Sequence, residues 1–357
     1  MKIALTGLPK SGKTTIFNAL TGSEHSTDKY IPADSINIGV VQITDPRITQ
    51  LSQLYKPKKT IYAHIEYRDY PGIFSQDIEN AESSMIQDLK GCEGFALVLR
   101  NFVDDELDAI VGERNPLKDL MRFEEEMVLS DLIVAENRLE RIELSYKRGV
   151  KTPAIQNEEK LLKLVCEDLR EGLPLRNMEL NAEDAKTLRG FQFFSQKPLL
   201  LLVNCSEDEY NQQEELLSQL SGRGYLAIAI AGRFEEELSK LDDEEAQVFM
   251  EDMGIASSIR DRLTQLSYQL MGYLSFFTVG DDEVRAWTIT RGDNALTAAG
   301  KIHSDLARGF IRAECFSYDD IIQHGNEKIL REKGLFRLEG KEYVVKDGDV
   351  ISIRFNV

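Results

Sequence analysis

Cysteine is scarce in this 357-residue chain, and its four copies, Cys92, Cys166, Cys205 and Cys315, stand far apart. With no C-x-x-C pair, neither a zinc ribbon nor a disulfide framework is legible, and reduced thiols in a cytoplasm are the expected setting. The histidines, His25, His64, His303 and His324, are just as scattered, so metal-ligand spacing is missing as well. Long apolar runs are absent: the longest, at residues 95–99 and 199–203, fall far short of the roughly 20 residues that span a bilayer, and no membrane role is expected. The start predicts no secretory leader, because glycine and proline interrupt a very short apolar strand. Positive charge is in deficit, with 43 Lys and Arg against 61 Asp and Glu for a net charge of −18. Indiscriminate binding to nucleic acid through a broad basic surface is therefore disfavoured, although a local basic patch stays open. The remaining composition, 42% hydrophobic and 29% charged, is that of an ordinary globular chain long enough for two or three domains.

Against these absences, one motif stands complete. Gly7-Leu8-Pro9-Lys10-Ser11-Gly12-Lys13-Thr14 follows directly on the apolar strand Ile3-Ala4-Leu5. Its glycines let backbone N–H groups curl around phosphates, with Pro9, Lys10 and Ser11 forming the turn between them. Lys13 would reach the β- and γ-phosphates, and Thr14 would offer its hydroxyl to Mg²⁺. A helix over residues 14–20, entered through Thr14 and Thr15, would aim its positive end at the same anions. Nucleotide binding is the leading reading; a Gly-rich turn that binds nothing is the alternative.

The first hundred residues alternate strand and helix signals. Residues 60–68, with Ile61, Ala63, Ile65 and Tyr67 at alternate positions, read as one strand ending at Asp69-Tyr70-Pro71-Gly72. The α/β pattern then breaks for a helical stretch. Val128, Leu132, Ala135, Leu139, Ile142 and Tyr146 recur at steps of four and three residues, and Leu162, Val165 and Leu169 continue on a second run. Gly149 and Gly172 offer the stops. These two runs predict an inserted helical hairpin, with ordinary core helices as the alternative. Beyond a helix at residues 259–270, short strands are expected at 274–279, 283–289, 311–315, 342–345 and 350–355, with a helix near 295–306. This mixed region carries no catalytic constellation and reads as a docking module.

Two further signals suit a nucleotide site. An acidic residue at a strand end supports Mg²⁺ through water, and a following glycine can donate its N–H to the γ-phosphate; Asp69 and Gly72 fit those roles. Lys13 and Gly72 are thus the candidate catalytic groups. Ile73 stands where Ras-like GTPases place a water-orienting glutamine, which predicts slow intrinsic turnover; a basal rate of many per second would contradict it. The buried strand 199–203 ends in Asn204-Cys205-Ser206-Glu207. GTPases commonly read guanine here with Asn-Lys-x-Asp. Glu207 is one methylene longer than the aspartate, Cys205 removes the lysine, and the Asn204 amide suits the adenine edge, so ATP is favoured over GTP. Ala231 and Gly232, after a strand at 225–230, would flank the base.

Longer strings now carry a resemblance. Asn37-Ile38-Gly39-Val40-Val41, Tyr55-Lys56-Pro57-Lys58-Lys59, Asn204 to Glu207, Glu283-Val284-Arg285-Ala286-Trp287 and Leu338-Glu339-Gly340-Lys341-Glu342-Tyr343 together make the chain resemble the YchF family of Obg-related NTPases. The resemblance implies a G-domain-like α/β P-loop NTPase domain at 1–115 and 192–273, an inserted helical coiled-coil domain at 116–191, and a C-terminal β-grasp TGS domain at 274–357. It implies an ATP-preferring, Mg²⁺-dependent NTPase whose partner is the ribosome, acting in translation or stress response. RNA contact through Arg285, Arg291, Arg308 and Arg312 is a further expectation for the TGS-like part, with a solvated face of scattered arginines as the alternative.

Departures from the family point to a divergent paralogue. Lys10 occupies a position where the family usually has asparagine, which helps hold K⁺ in related enzymes. Its ammonium is read either as an internal substitute for that cation or as solvent-facing. A several-fold rise in hydrolysis on replacing Na⁺ by K⁺ would exclude the first. The first switch, at residues 30–36, and residues 74–80 after Gly72 also differ. A scaffold with negligible hydrolysis, a GTP-specific switch and, more remotely, a small-molecule kinase are the competing readings.

Overall fold

Asp45-Pro46, Asn115-Pro116 and Thr152-Pro153 each set a short polar side chain before a proline, the arrangement that caps and starts a helix. In the computed structural model, which describes residues 1–23, 36–71 and 84–356, all three do so, the polar side chains accepting from the N–H groups of Arg47, Lys118 and Ile155. The chain opens with β1 (Lys2–Gly7) and α1 (Lys13–Thr21), followed by β2 (Asn37–Gln42), α2 (Pro46–Tyr55), β3 (Lys59–Ile61) and β4 (His64–Asp69). Next come α3 (Ser84–Lys90), β5 (Gly94–Arg100), α4 (Asp105–Val111), the 32-residue α5 (Pro116–Lys147), α6 (Pro153–Arg170) and α7 (Ala182–Leu188). The strands β6 (Leu199–Asn204) and β7 (Leu226–Ile230) alternate with α8 (Glu214–Gly222) and α9 (Gly232–Leu238). The helices α10 (Asp243–Asp252) and α11 (Ile259–Leu270) complete this stretch.

Two compact units result: residues 1–39 with 66–260, and residues 40–65 with 261–357. The first is built on a sheet of order β2-β4-β1-β5-β6-β7, in which β1 pairs in parallel with β4 and β5, and β6 in parallel with β5 and β7. Every residue of β5 and β6 is buried, the signature of parallel strands covered on both faces. From β1 the strand order runs one way to β4 and the other way to β5, so the loop after β1 opens at a topological switch point.

The helical insertion is the hairpin that the heptads predict. Val128, Ala135 and Ile142 of α5 are buried with Leu162, Val165 and Leu169 of α6, while Leu132, Leu139 and Tyr146 pack at the edge. Arg138 with Glu158 and Arg170 with Glu136 close its flanks at 2.7 and 2.6 Å. Gly149 and Gly172, at φ 79° and 76°, lie just past the two helix ends.

The second unit carries β8 (Tyr273–Thr278), β9 (Glu283–Thr290), α12 (Ala295–Ile302), α13 (Ser304–Arg308), β10 (Phe310–Ser317), α14 (Tyr318–His324), α15 (Glu327–Glu332), β11 (Arg337–Glu339) and β12 (Asp349–Phe355). Its sheet runs β11-β10-β12-β8-β9-β3 over a core of Leu274, Phe276, Ile289, Phe310 and Ile351 packed on α12. Residues 342–345, expected as a strand, supply only a single bridge between Val344 and Asn294, and the helix expected near 295–306 divides into α12 and α13. The strand expected over 60–68 is two strands, since β3 pairs with β9 and β4 with β1. Residues 40–65, assigned by the sequence reading to 1–115, thus lie in the second unit, as do residues 261–273. Long-range polar contacts place the former there: Arg47 binds Asp347 at 2.7 Å and the Tyr55 hydroxyl donates to Glu327 at 2.9 Å.

Candidate functional site

The loop between β1 and α1 has its shape imposed by close neighbours. At Gly7, with φ 147°, a Cβ would stand 2.5 Å from the Val98 carbonyl oxygen, and at Gly12, with φ 89°, one would stand 2.1 Å from Asn204 Nδ2. No other residue fits either place. Lys10, also in the left-handed region at φ 67°, is exposed, as is Pro9, whereas Ser11 is buried.

Lys13 is 7% exposed and donates from Nζ to the carbonyls of Gly7 (3.1 Å) and Leu8 (2.9 Å), so its ammonium is folded back onto the loop. Burial lowers its pKa to about 8, with the charge of Asp69 opposing the shift and that of Lys10 adding to it. Thr14 Oγ1 donates to Asp69 Oδ2 at 2.9 Å, and Asn37 Nδ2 donates to the same oxygen at 3.2 Å. Asp69 ends β4, in register with Leu5 of β1, which is how the parallel pairing brings residues 55 positions apart to one point. Thr15, half-buried, continues α1. Gly72 and Ile73, with the first-switch residues 30–35, lie outside the described residues.

On the base side, Asn204 Nδ2 donates to the Ser11 carbonyl at 2.9 Å and Oδ1 accepts from Gly232 N at 3.1 Å. Asn204 therefore ties the phosphate loop to the loop after β7, with one N–H and one lone pair of the amide left over. Ala231 is buried beside it, and a Cβ at Gly232 would come within 2.8 Å of Asn204 Oδ1. Glu207 is exposed. The Cys205 thiol, pushed up to about 11 by burial, is an inert packing group.

Phe102 is a residue that motif reading passes over. It follows β5 and lies against Gly12, about 4.0 Å from where a Cβ there would project. An aromatic just past a fully buried strand was the available signal.

Residues 2–138 match a family profile described as 50S ribosome-binding GTPase, and residues 273–356 match the YchF GTPase C-terminal profile, described as a protein of unknown function. The chain is 35% identical to the ribosome-binding ATPase YchF of Bacillus subtilis, over 99% of this chain and 98% of that one. The chain belongs to the YchF family. The YchF protein of Escherichia coli O157:H7, also called a ribosome-binding ATPase, is 34% identical over 100% and 99% of the two chains. Among solved structures, the YchF GTPase of Schizosaccharomyces pombe superimposes with a TM-score of 0.81 at 26% identity, covering 99% of this chain and 97% of that one. Family membership and the loop just described make the chain a P-loop NTPase with the YchF C-terminal domain.

Proposed function

We propose that this YchF-family chain is a slow, Mg²⁺-dependent nucleotide-hydrolysing switch that prefers ATP to GTP and works with the ribosome in translation or stress response. The observation that carries the reading is the meeting of Thr14 Oγ1 and the Asp69 carboxylate, 2.9 Å apart, at the mouth of the loop that holds Lys13. Two hard oxygen donors at that place fit Mg²⁺, with Thr14 holding it directly and Asp69 through water. Bound there, Mg²⁺ supplies neutralising charge to the β- and γ-phosphate oxygens. Lys13 leaves the Gly7 and Leu8 carbonyls for the phosphates, the loop's backbone N–H groups up to Thr15, to which Pro9 contributes none, line the anion, and the Gly72 N–H is assigned to the γ-phosphate. Asn204, Glu207, Ala231 and Gly232 frame the base, with Phe102 beside Gly12.

The ribosome enters from the names of the relatives. RNA contact through the C-terminal module is part of the reading, supported by exposed Arg312, in register with Arg354 across β10 and β12, and by Arg285, stacked 3.9 Å above the Trp287 ring. Arg308 is engaged by Asp305.

Side-by-side titration and single-turnover hydrolysis of ATP and GTP, with and without ribosomes and Mg²⁺, tests the reading. Tighter ATP binding with slow, Mg²⁺-dependent and ribosome-stimulated turnover is the expected result. Tight binding without turnover in any condition would leave the scaffold reading, which Ile73 favours, in its place.

A further inference from the structure

Arg114 precedes Asn115, the residue that caps the long hairpin helix α5, yet its side chain is spent on the loops around the proposed base site. Its guanidinium grips Glu209 in a two-pronged pair, Nη1 to Oε2 at 2.5 Å and Nη2 to Oε1 at 2.9 Å, and Nη1 also donates to the Asn101 carbonyl at 2.7 Å. These partners belong to two different loops, those that follow the neighbouring strands β5 and β6. Asn101 adjoins Phe102, while Glu209 stands two residues beyond Glu207 and accepts from Ser206 Oγ at 3.4 Å.

A second layer backs the clamp. Asn101 N donates to the Asn204 carbonyl, Asn101 Nδ2 to Gln213 Oε1, and Gln213 Nε2 to the Glu209 carbonyl, each at 2.7 Å. Gln213 is only 6% exposed, so the network is held from beneath, and a cleft of about 400 Å³ opens beside it. The Arg114 hydrogen bonds hold the Glu209 carboxyl below the usual carboxylate range, as expected of a pair that stays ionised.

From this geometry we infer that Arg114 is a positioning residue for base recognition, fixing the 206–209 loop against the 101–102 loop and so setting the spacing in which a purine is discriminated. The inference rests on the nucleotide-binding reading above. A planar fork held by both prongs fixes distance and orientation together, which a lysine at the same place cannot do. Among the described residues, the hydrogen bonds and ion pair of Arg114 go to Asn101 and Glu209 and not to the phosphate loop, so its effect is expected on the base and not on the phosphates.

The test uses the full chain and its variants Arg114→Ala, Arg114→Lys, Glu209→Gln and Arg114→Ala with Glu209→Gln, each verified as folded by its thermal transition. ATP, GTP and inorganic tripolyphosphate are titrated against each. The expected result is a change of about tenfold in the ATP-to-GTP affinity ratio for Arg114→Ala, Arg114→Lys and Glu209→Gln, with tripolyphosphate affinity held within about twofold. The double variant is expected to match the single ones, because either change opens the same clamp. Equal weakening of all three ligands, or an unmoved ratio in the lysine variant, which keeps charge and bulk, would overturn the inference and leave Arg114 a structural residue. Failure of the unmodified chain to bind any of the three would overturn the nucleotide reading itself, and this inference with it.

Discussion

At the scale of single residues, the phosphate loop keeps an ammonium group where water is scarce. Lys13 sits on two backbone carbonyls with its pKa lowered to about 8 by burial. Phosphates favour the ammonium form and raise that value on binding, so binding above pH 8 requires uptake of a proton. ATP affinity is therefore expected to be flat from pH 7 to about 7.5 and to fall by up to roughly tenfold per unit above pH 8. Isothermal titration in buffers of different ionisation heat at pH 8.5 checks both the fall and the proton uptake; a flat affinity to pH 9.5 would count against a neutralised Lys13. The shape of this loop was legible from the motif alone, because the spacing of Gly7, Gly12, Lys13 and Thr14 dictates its backbone. The linking role of Asn204 was not, since it depends on a carbonyl 193 residues away.

Among elements, α5 shows how a buried carboxylate can organise a junction. Asp131, 2% exposed, accepts from Phe194 N at 2.8 Å and Ser195 N at 2.6 Å in the segment that returns from the hairpin. That segment also carries Lys197, whose Nζ donates to the carbonyls of Leu89, Lys90 and Cys92 at the end of α3. Burial raises the Asp131 carboxyl to about 6, outweighing both N–H groups and the nearby Lys197 charge. A raised folded-state pKa contributes stability that is full below the unfolded value near 4 and is lost as pH rises through 6. Asp131→Asn abolishes that titration, so wild-type stability relative to the variant is expected to fall by roughly 2 kcal/mol between pH 4 and 7. Urea unfolding of both proteins across that range reads it directly, and parallel pH profiles would refute it. The hairpin itself was legible, as the seam from Val128 to Tyr146 repeats over several turns. Asp131 was not, because in sequence it is one acidic residue among many on a charged helix.

For the whole molecule, the chain enters the second unit at residue 40, returns at 66 and crosses again at 261. Its buried parallel strands read well from local patterns, while the short strands of the second unit read less well and membership did not read at all: residues 40–65 look like a continuation of the nucleotide domain and differ only in their distant partners. Separately produced fragments 1–260 and 261–357 are expected to associate, because β3 in the first pairs with β9 in the second and Arg47 meets Asp347 at 2.7 Å. Co-elution in size-exclusion chromatography after joint refolding checks this; independent elution would contradict it.

The same threading sets a waiting time during synthesis. Lys58 and its partner Asp282 are 224 residues apart, so at about 5–20 residues per second the strand β3 spends roughly 10–45 s outside the exit tunnel before β9 follows it out. A three-residue strand exposes few unpaired groups during that delay, which keeps the nascent edge a poor template for other chains.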